Sequence, residues 1–248
     1  MKKEMRFHES FFQKHAGKGF PDGIGAEDIV ESSGKSEPYM VIREEAGFVA
    51  AAQMGTIEFH IWGSRTDMLE KPDRLVFDID PDEGLTFADV KAAAKEIREL
   101  LSEIGLESLP MVTGGKGVHV IVPLRRTAEW ETVTFFTRTI ASHLAAKHPD
   151  RYVATMSKAK RKGKIFIDWL RNDRGSTAVA PYSIRARKGA PVAVPVTWQE
   201  LSRLKSANAF DIGKALKRLG KPCPLAAMDA SQSISQDVVN RLEKRIAG

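Results

Sequence analysis

A short apolar segment with two carboxylates places the strongest restriction on what this chain can fold into. Asp78 and Asp80 stand two residues apart among apolar neighbours, directly before Pro81. Side chains two residues apart on a β-strand leave the same face, so the pattern predicts a covered strand, Arg74–Asp80, with both acids at its end. Two like charges so close repel each other, and burial adds to the cost. A divalent metal ion would relieve both costs; solvated acids at the start of a loop are the alternative.

A third acid, Asp168, lies within another apolar segment, Ile165–Trp169. A lone carboxylate in a covered strand needs a partner. Arg171 could supply one, which would make Asp168 a structural residue. Asp168 could instead join Asp78 and Asp80 in a site of three carboxylates, an arrangement that holds two metal ions for phosphoryl transfer. We favour the metal site, with Mn²⁺ or Mg²⁺ as ions that suit oxygen ligands.

A glycine-rich segment, Thr113–Gly117, lies between two apolar segments and predicts a hairpin turn. It does not fit the Walker A pattern, because no Ser or Thr follows Lys116 and the segment opens no helix. Glycines nevertheless let backbone N–H groups approach an anion, and Lys116 and the Thr113 hydroxyl would add donors; a plain turn is the alternative. His119 follows on the next strand and His60 stands in a similar apolar context. Each is either a buried structural histidine or a site residue.

Basic residues gather in the segment 147–190, which contains 12 Lys or Arg and 3 Asp, although the net charge of the whole chain is only +6. Arg185 and Arg187 share one face if a strand continues there, which suits a triphosphate; surface arginines on an edge strand are the alternative. A cationic run just upstream predicts contact with a phosphate backbone, or else a solvated loop. Its members are Lys158, Lys160, Arg161, Lys162 and Lys164.

The secondary-structure pattern predicts a single α+β domain over residues 1–248. Glycine, proline and serine predict an irregular N-terminal segment over 1–38, and residues 221–248 predict a peripheral C-terminal tail and helix. The clearest helix spans 86–105 and begins with the capping-box pattern of Thr86 and Asp89. Further helices are predicted at 129–147, 198–205, 210–219 and 238–246. Strands are predicted at 39–42, 48–53, 56–62, 74–80, 109–113, 118–122, 165–169 and 177–184.

Composition excludes several classes of protein. The single cysteine, Cys223, rules out an intrachain disulfide framework and a cysteine-rich zinc site. No uncharged apolar run approaches the roughly 18 residues that span a bilayer, and the first residues lack the apolar region of a secretory signal. These features predict a cytoplasmic protein.

Six short motifs, which together cover nearly the whole chain, are informative in combination. They are Phe11–His15, Ile57–Trp62, Phe77–Pro81, Thr113–His119, Phe166–Asp168 continued by Ala180–Arg187, and Pro195–Leu201. In this order they resemble the polymerase domain of bacterial DNA ligase D, a branch of the archaeo-eukaryotic primase superfamily. The resemblance implies a primase-like α+β fold, in which largely antiparallel β-sheets form a central catalytic cleft flanked by α-helices.

The resemblance implies a template-dependent nucleotidyl transferase. Asp78, Asp80 and Asp168 would be catalytic and would hold two Mn²⁺ or Mg²⁺ ions, one at the primer 3′-OH and one at the triphosphate. Phe11 or Phe12 would stack on a base. The residues implied around the nucleotide are Lys14, His60, Thr113, Lys116, His119, Arg171, Arg185 and Arg187.

The same resemblance implies the partners of the chain. They are a DNA primer–template or DNA ends, NTPs or dNTPs, and Ku and a DNA ligase supplied in trans, in non-homologous end joining or gap filling on the nucleoid. Family members usually carry several tens of residues before the motif that begins at Phe11, whereas ten residues precede it here. We therefore expect a short stand-alone or N-terminally shortened form, in which recognition of a 5′-phosphate by those residues is in question.

Two other classes of function remain as alternatives. A haloacid dehalogenase-type phosphatase also begins with an apolar strand and two acids, and Asp78 would then be a covalent nucleophile. That family continues with Gly-Thr, where this chain has Pro81 and Asp82. The other alternative is a catalytically silent DNA-binding module, which would bind DNA in a salt-sensitive way without turnover.

Overall fold

The structure, a computed structural model, describes residues 11–226 and 231–247. The chain forms two compact units that divide between Thr56 and Ile57, where the sequence predicts a single domain. The strands are β1 (Ile24–Val30), β2 (Ser36–Ile42), β3 (His60–Trp62), β4 (Arg74–Pro81), β5 (Leu109–Val112), β6 (Val118–Pro123), β7 (Tyr152–Val153), β8 (Ile165–Asp168), β9 (Thr177–Val179) and β10 (Val194–Pro195). The helices are α1 (Glu45–Gln53), α2 (Phe87–Glu103), α3 (Trp130–Lys147), α4 (Trp198–Arg203), α5 (Ile212–Leu219) and α6 (Gln236–Ala247).

The N-terminal unit contains an antiparallel hairpin of β1 and β2, in which Ile24 pairs with Ile42 and Val30 with Ser36. Its turn contains Gly34 at a φ of 82°, a conformation that favours glycine. The prediction of an irregular segment over 1–38 is therefore wrong for β1 and the start of β2, while residues 1–10 of that segment lie outside the described residues. Ser32, Ser33 and Gly34 form the turn of the hairpin, whereas Gly25, Ser36 and Pro38 lie within its strands.

Helix α1 replaces the strand predicted at 48–53. This segment is rich in alanine, which has the highest helix propensity of the amino acids. A short apolar run does not distinguish a strand from a helix by periodicity alone, and here the alanine content decides the outcome.

The C-terminal unit is built on a six-stranded sheet with the order β10-β5-β6-β4-β8-β7. Its neighbouring strands are antiparallel, except for the parallel pair β7 and β8. Strands β3 and β9 form a second, two-stranded antiparallel sheet. The predicted α+β fold with largely antiparallel sheets is confirmed. The strand that carries Asp78 and Asp80 lies in the interior of the main sheet.

Packing against α2 determines which face of β4 holds the acids. Leu75, Phe77 and Ile79 are completely buried, in the same core as the apolar face of α2. Because side chains alternate along a strand, Asp78 and Asp80 leave the opposite face of the sheet. The alternation that was read from the sequence therefore places both acids together, away from the main core.

The predicted helices are confirmed with small shifts at their ends, and α2 begins with the predicted capping box of Thr86 and Asp89. The strand predicted at 177–184 ends at Val179, shortly before Tyr182, whose φ is 63°. Helix α6 packs on the main core through Val238 and Leu242, while most of its residues are exposed, and its description as a peripheral helix stays a prediction. Within the described ranges, none of the helices combines the length and the apolar character that a membrane span requires.

Candidate active site

A cavity of about 190 Å³ in the C-terminal unit gathers most of the side chains that the sequence predicts for a site. It is lined by residues of β3, β4, β6 and β9, by the turn between β5 and β6, by Arg171 before β9, and by two arginines that follow β9. The predicted residues that line it are His60, Asp78, Asp80, Thr113, Lys116, His119, Arg171, Arg185 and Arg187.

The pairing of β4 with β8 brings the third acid beside the other two. Asp168 lies directly opposite Asp78 in this antiparallel pair. The Cβ atoms of residues so paired are about 4.5–5.5 Å apart. Asp80, two residues further along β4, leaves the same face of the sheet as Asp78. Three carboxylates from two neighbouring strands therefore share one face.

Two basic side chains contact Asp78. His119, its opposite neighbour on β6, places Nε2 3.4 Å from Oδ1 of Asp78. Arg171 places Nε 3.5 Å from Oδ2 of Asp78 and Nη2 3.2 Å from Oδ2 of Asp168. Arg171 thus forms the ion pair with Asp168 that the sequence left open, and it also lines the cavity.

The surroundings of the three acids differ in their effect on ionisation. Burial would raise the pKa of Asp78, but interactions with His119, Arg171 and Arg185 outweigh it and hold this pKa below its usual value. Burial raises the pKa of Asp168; Arg171 counters the rise in part, and the charge of Asp78 adds to it. Burial and the charge of Asp78 also raise the pKa of Asp80. Asp80 and Asp168 therefore carry negative charge that the protein alone does not fully compensate.

The glycine turn between β5 and β6 packs closely against β4 and Arg185. The Thr113 hydroxyl donates to the carbonyl of Gly117 over 2.9 Å, and Nη1 of Arg185 donates to the Thr113 carbonyl over 2.8 Å. A Cβ added to Gly117 would lie 2.4 Å from the carbonyl oxygen of Ile79, between the two acids of β4. The glycine at 117 is therefore required by a close backbone approach.

We expect the substitution Gly117→Ala to destabilise the fold by about 1–3 kcal/mol, the usual cost of overpacking, because the clash is with a backbone atom of β4. In a chain of this size about 1 kcal/mol lowers Tm by about 2–4 °C, which thermal unfolding would detect. Gly115→Ala is the matched control, since its added Cβ would meet its nearest neighbours at ordinary contact distances of 3.5 Å. Equal Tm values for the two variants would contradict the close approach.

Three comparisons with known proteins agree on the family of this chain. A family model described as the LigD primase-polymerase domain matches residues 5–224. The chain is 43% identical over 211 residues to the multifunctional non-homologous end joining protein LigD of Pseudomonas aeruginosa. This match covers 85% of this chain and 25% of that protein. The polymerase domain of Mycobacterium tuberculosis ligase D, solved in complex with DNA, superposes with a TM-score of 0.77 at 30% identity and covers 86% of this chain and 76% of that one.

The chain belongs to the LigD primase-polymerase family. The bifunctional non-homologous end joining protein LigD of Bacillus subtilis is 30% identical over 219 residues, 87% of this chain and 35% of that protein. The chain thus spans a quarter to about a third of the length of these curated relatives. Membership confirms the resemblance and the activity class: the chain is a nucleotidyltransferase of the metal-dependent primase-polymerase type. A phosphatase and a catalytically silent module are not favoured.

The donor set agrees with the metal dependence of the LigD primase-polymerase family. Three carboxylates share one face, and the raised pKa values of Asp80 and Asp168 are those of charges that a cation would stabilise. As the side chains of residues 11–226 and 231–247 are placed, no three His, Cys, Asp or Glu residues are grouped as metal ligands. The assignment of Asp78, Asp80 and Asp168 as ligands therefore stays a prediction.

Sequence reasoning missed Asn172, which positions Arg171. Its buried side chain accepts a hydrogen bond from the N–H of Val76 over 2.6 Å and donates to the carbonyl of the same residue over 2.7 Å. It also donates to the carbonyl of Trp169 over 2.8 Å. The amide thus ties the helical turn Leu170–Asn172 to the backbone of β4. No local pattern announces this role, because the partner strand lies far away in the sequence.

Lys14 belongs to the N-terminal unit, and its predicted contact with a nucleotide stays a prediction. Its Nζ donates to Oε1 of Glu31 over 2.9 Å and to the hydroxyl of Tyr39 over 3.0 Å. Hydrogen bonds from Tyr39 and Lys14 lower the pKa of Glu31 to about 2. Phe11 and Phe12, in the same motif, are exposed.

The cationic run divides between two environments. Lys160, Lys162 and Lys164 line a second cavity of about 580 Å³, which is also lined by the end of α3, by residues 152–155, and by Pro149 and Ala159. Arg161 instead lies over the ring of Phe166, 3.6 Å from its centroid. Among the described residues, no carboxylate forms an ion pair with Lys158 or with these three lysines. Their charges are therefore available to an anionic partner.

Proposed function

We propose that the chain adds ribo- or deoxyribonucleotides to the 3′ ends of DNA primers under the direction of a template strand, in DNA end joining or gap filling. The observation that carries this proposal is the cavity in which Asp78 and Asp80, with Asp168 opposite, lie beside the side chains of Arg171 and Arg185. Acids beside a group of cations suit a reaction between a hydroxyl group and a triphosphate. The descriptions of the relatives support the DNA context.

We propose that Asp78, Asp80 and Asp168 hold two Mn²⁺ or Mg²⁺ ions. When bound, such ions would favour ionisation of the primer 3′-hydroxyl and neutralise charge on the phosphates. Arg171 and His119 contact Asp78 and keep its carboxylate ionised on the cavity side of the sheet. Three neighbouring carboxylates destabilise the fold unless a cation binds them, and the proposed metal ions would remove that cost.

The other cavity residues suit the phosphates of a nucleotide. Arg185 and Arg187 offer forked donors, and Arg187 reaches the glycine turn, since a Cβ at Gly115 would lie 3.5 Å from its Cζ atom. Lys116 adds a point charge. Thr113 shapes the turn through its bond to Gly117, rather than by standing free as a donor. The further proposed contacts with the sugar and the phosphates are His60, His119 and Arg171.

We propose that the second cavity binds the phosphate backbone of DNA. Its three lysines have the chemistry of a sequence-independent phosphate contact, and Lys158 and Arg161 continue the same cationic run. The cavity is also lined by the apolar side chains of Ala145, Val153 and Ala154.

The triple substitution of Lys160, Lys162 and Lys164 by alanine is expected to weaken DNA binding and its dependence on salt. Each lost phosphate contact removes about 0.9 from the slope of log K against log[salt] for duplex DNA, and about 0.7 for a single strand. Fluorescence anisotropy at several salt concentrations measures this slope. The control replaces Lys95, Lys217 and Lys221, three exposed lysines outside the cavity, with the same change of charge. Identical slopes for the two triple variants would contradict the proposed DNA surface.

We propose Ku and a DNA ligase as partners, because the curated relatives are described as non-homologous end joining proteins. The proposed place of action is the cytoplasm, at the nucleoid, where DNA ends arise.

Primer extension by the wild-type chain tests the proposed function. Each of the four nucleotides, in ribo and deoxyribo form, is offered separately with Mn²⁺ or Mg²⁺ on a primer–template with a defined next base. We expect addition of the complementary nucleotide above the others, and loss of addition with a chelator. No extension with any nucleotide or metal would contradict the proposal, and equal addition of all four nucleotides would contradict the role of the template.

A further inference from the structure

Glu58 lies against two of the side chains that line the active-site cavity. Its Oε2 is 3.0 Å from Nε2 of His60 and 3.1 Å from Nε of Arg185. Its Oε1 accepts a hydrogen bond from the N–H of Ala186 over 2.7 Å. One carboxylate therefore holds the strand that carries His60 and the segment that carries Arg185, which are remote from each other in the sequence.

A second bond joins the same two segments. The N–H of Phe59 donates to the hydroxyl of Ser183 over 2.8 Å. Arg185 is also held at its far end, where Nη1 donates to the carbonyl of Thr113. The direction of its guanidinium group is therefore determined by Glu58 on one side and by the glycine turn on the other. Glu58 itself is not among the residues that line the cavity.

We propose that Glu58 is a positioning residue, which orients His60 and Arg185 for the phosphates of the incoming nucleotide. The proposal rests on the function proposed above and names a further residue of the same site. An ionised carboxylate can accept hydrogen bonds but cannot donate them. Nε2 of His60 is therefore the donor in this pair and carries a proton. Glu58 thus sets both the direction of the imidazole ring and the position of that proton.

Ionisation of Glu58 fits this role. Burial would raise its pKa, but the hydrogen bonds from His60 and Ala186 and the charge of Arg185 outweigh burial and hold the pKa below its usual value. The side chain is 23% exposed, so the carboxylate is mostly shielded from water. A negative charge this close to a site for polyphosphates opposes binding by simple electrostatics. Its placement is explained by the orientation of its two partners and not by attraction to the substrate.

Two variants separate orientation from charge. Glu58→Gln keeps the length of the side chain, but an amide has one acceptor oxygen and cannot satisfy Ala186 and the two cavity residues together. Glu58→Asp keeps the charge and withdraws the carboxylate by about 1.5 Å, the length of one C–C bond. Glu70→Gln is the matched control, because this exposed glutamate pairs with Arg174 outside the cavity.

If Glu58 positions its partners, both variants at 58 lower kcat/KM for the nucleotide by about 10–100-fold, while Glu70→Gln is unchanged. If Glu58 only balances charge, Glu58→Asp behaves as the wild type and Glu58→Gln binds inorganic pyrophosphate more tightly. Calorimetry with pyrophosphate measures the second effect, and thermal unfolding establishes that each variant is folded. Wild-type kinetics in both variants, or the pattern of charge balance, would overturn the proposal.

Calorimetry also separates this inference from the proposed function. A wild-type chain that extends no primer would contradict the proposed function. The affinity for a nucleoside triphosphate would still test the role of Glu58 in a chain without turnover, because Glu58 contacts His60 and Arg185 before any reaction. We then expect both variants at 58 to bind the nucleoside triphosphate more weakly than wild type, and equal affinity would overturn the positioning role by itself.

Discussion

Replacing Asp78 with alanine is expected to reduce primer extension by about 10³-fold or more, the scale seen when a central catalytic group is removed. Asp78 lies next to both of the other acids: Asp168 is opposite it on the neighbouring strand, and Asp80 leaves the same face of β4. It also contacts His119 and Arg171. Its loss therefore removes one carboxylate and releases two basic side chains. Single-turnover extension by one nucleotide measures the chemical step without product release.

Two further variants make this test specific. Asp78→Asn keeps the shape of the side chain and removes the charge, so a similar loss of activity would show that the charge matters. Asp150→Ala removes an exposed aspartate outside the cavity and should extend primers as the wild type does. If Asp78→Asn extends primers at the wild-type rate, Asp78 is not part of the catalytic chemistry.

Local patterns in the sequence predicted the part of the site that depends on β4. The alternation of apolar residues with Asp78 and Asp80 needs no knowledge of the rest of the chain, because side-chain direction on a strand has a period of two. The capping box at Thr86 is equally local and correctly predicted the start of α2, which covers the other face of the sheet. Such signals extend over a few residues, so a single sequence contains them completely.

Contacts between remote segments could not be predicted in this way. Asn172 bonds to the backbone of Val76, and Glu58 bonds to the backbone of Ala186; in both cases a polar side chain binds a peptide group that no spacing rule identifies. The hairpin of β1 and β2 was missed for a different reason. Glycine, serine, aspartate and proline are interspersed among its apolar residues, and pairing between the strands, not composition, determines the structure.

Replacing Asp168 with asparagine is expected to abolish extension and yet to raise Tm by about 2–4 °C in the absence of metal, the effect of about 1 kcal/mol. The pKa of Asp168 is raised in the folded chain, mainly by burial, so its charge is unfavourable there. For an acid with a raised pKa, the cost is absent below the unfolded pKa, grows as the pH rises toward the folded pKa, and is complete above it. The gain in Tm should therefore be present at pH 7 and diminish as the pH approaches 4, and calorimetry in a chelator at both pH values measures it.

The matching variants at the neighbouring acids should differ in sign and size. Asp80→Asn should stabilise less, because Asp80 is more exposed and water screens its charge. Asp78→Asn should destabilise at pH 7, because the pKa of Asp78 is lowered and its charge is favourable in the fold.

Saturating Mn²⁺ should then raise the Tm of the wild type more than that of any of the three variants, since each lacks one proposed ligand. We therefore expect Asp168→Asn to have the higher Tm in a chelator and the wild type to have the higher Tm in Mn²⁺. A lower Tm for Asp168→Asn in the chelator would mean that Arg171 already compensates this acid, and an equal effect of Mn²⁺ on all four proteins would remove the three carboxylates as its ligands.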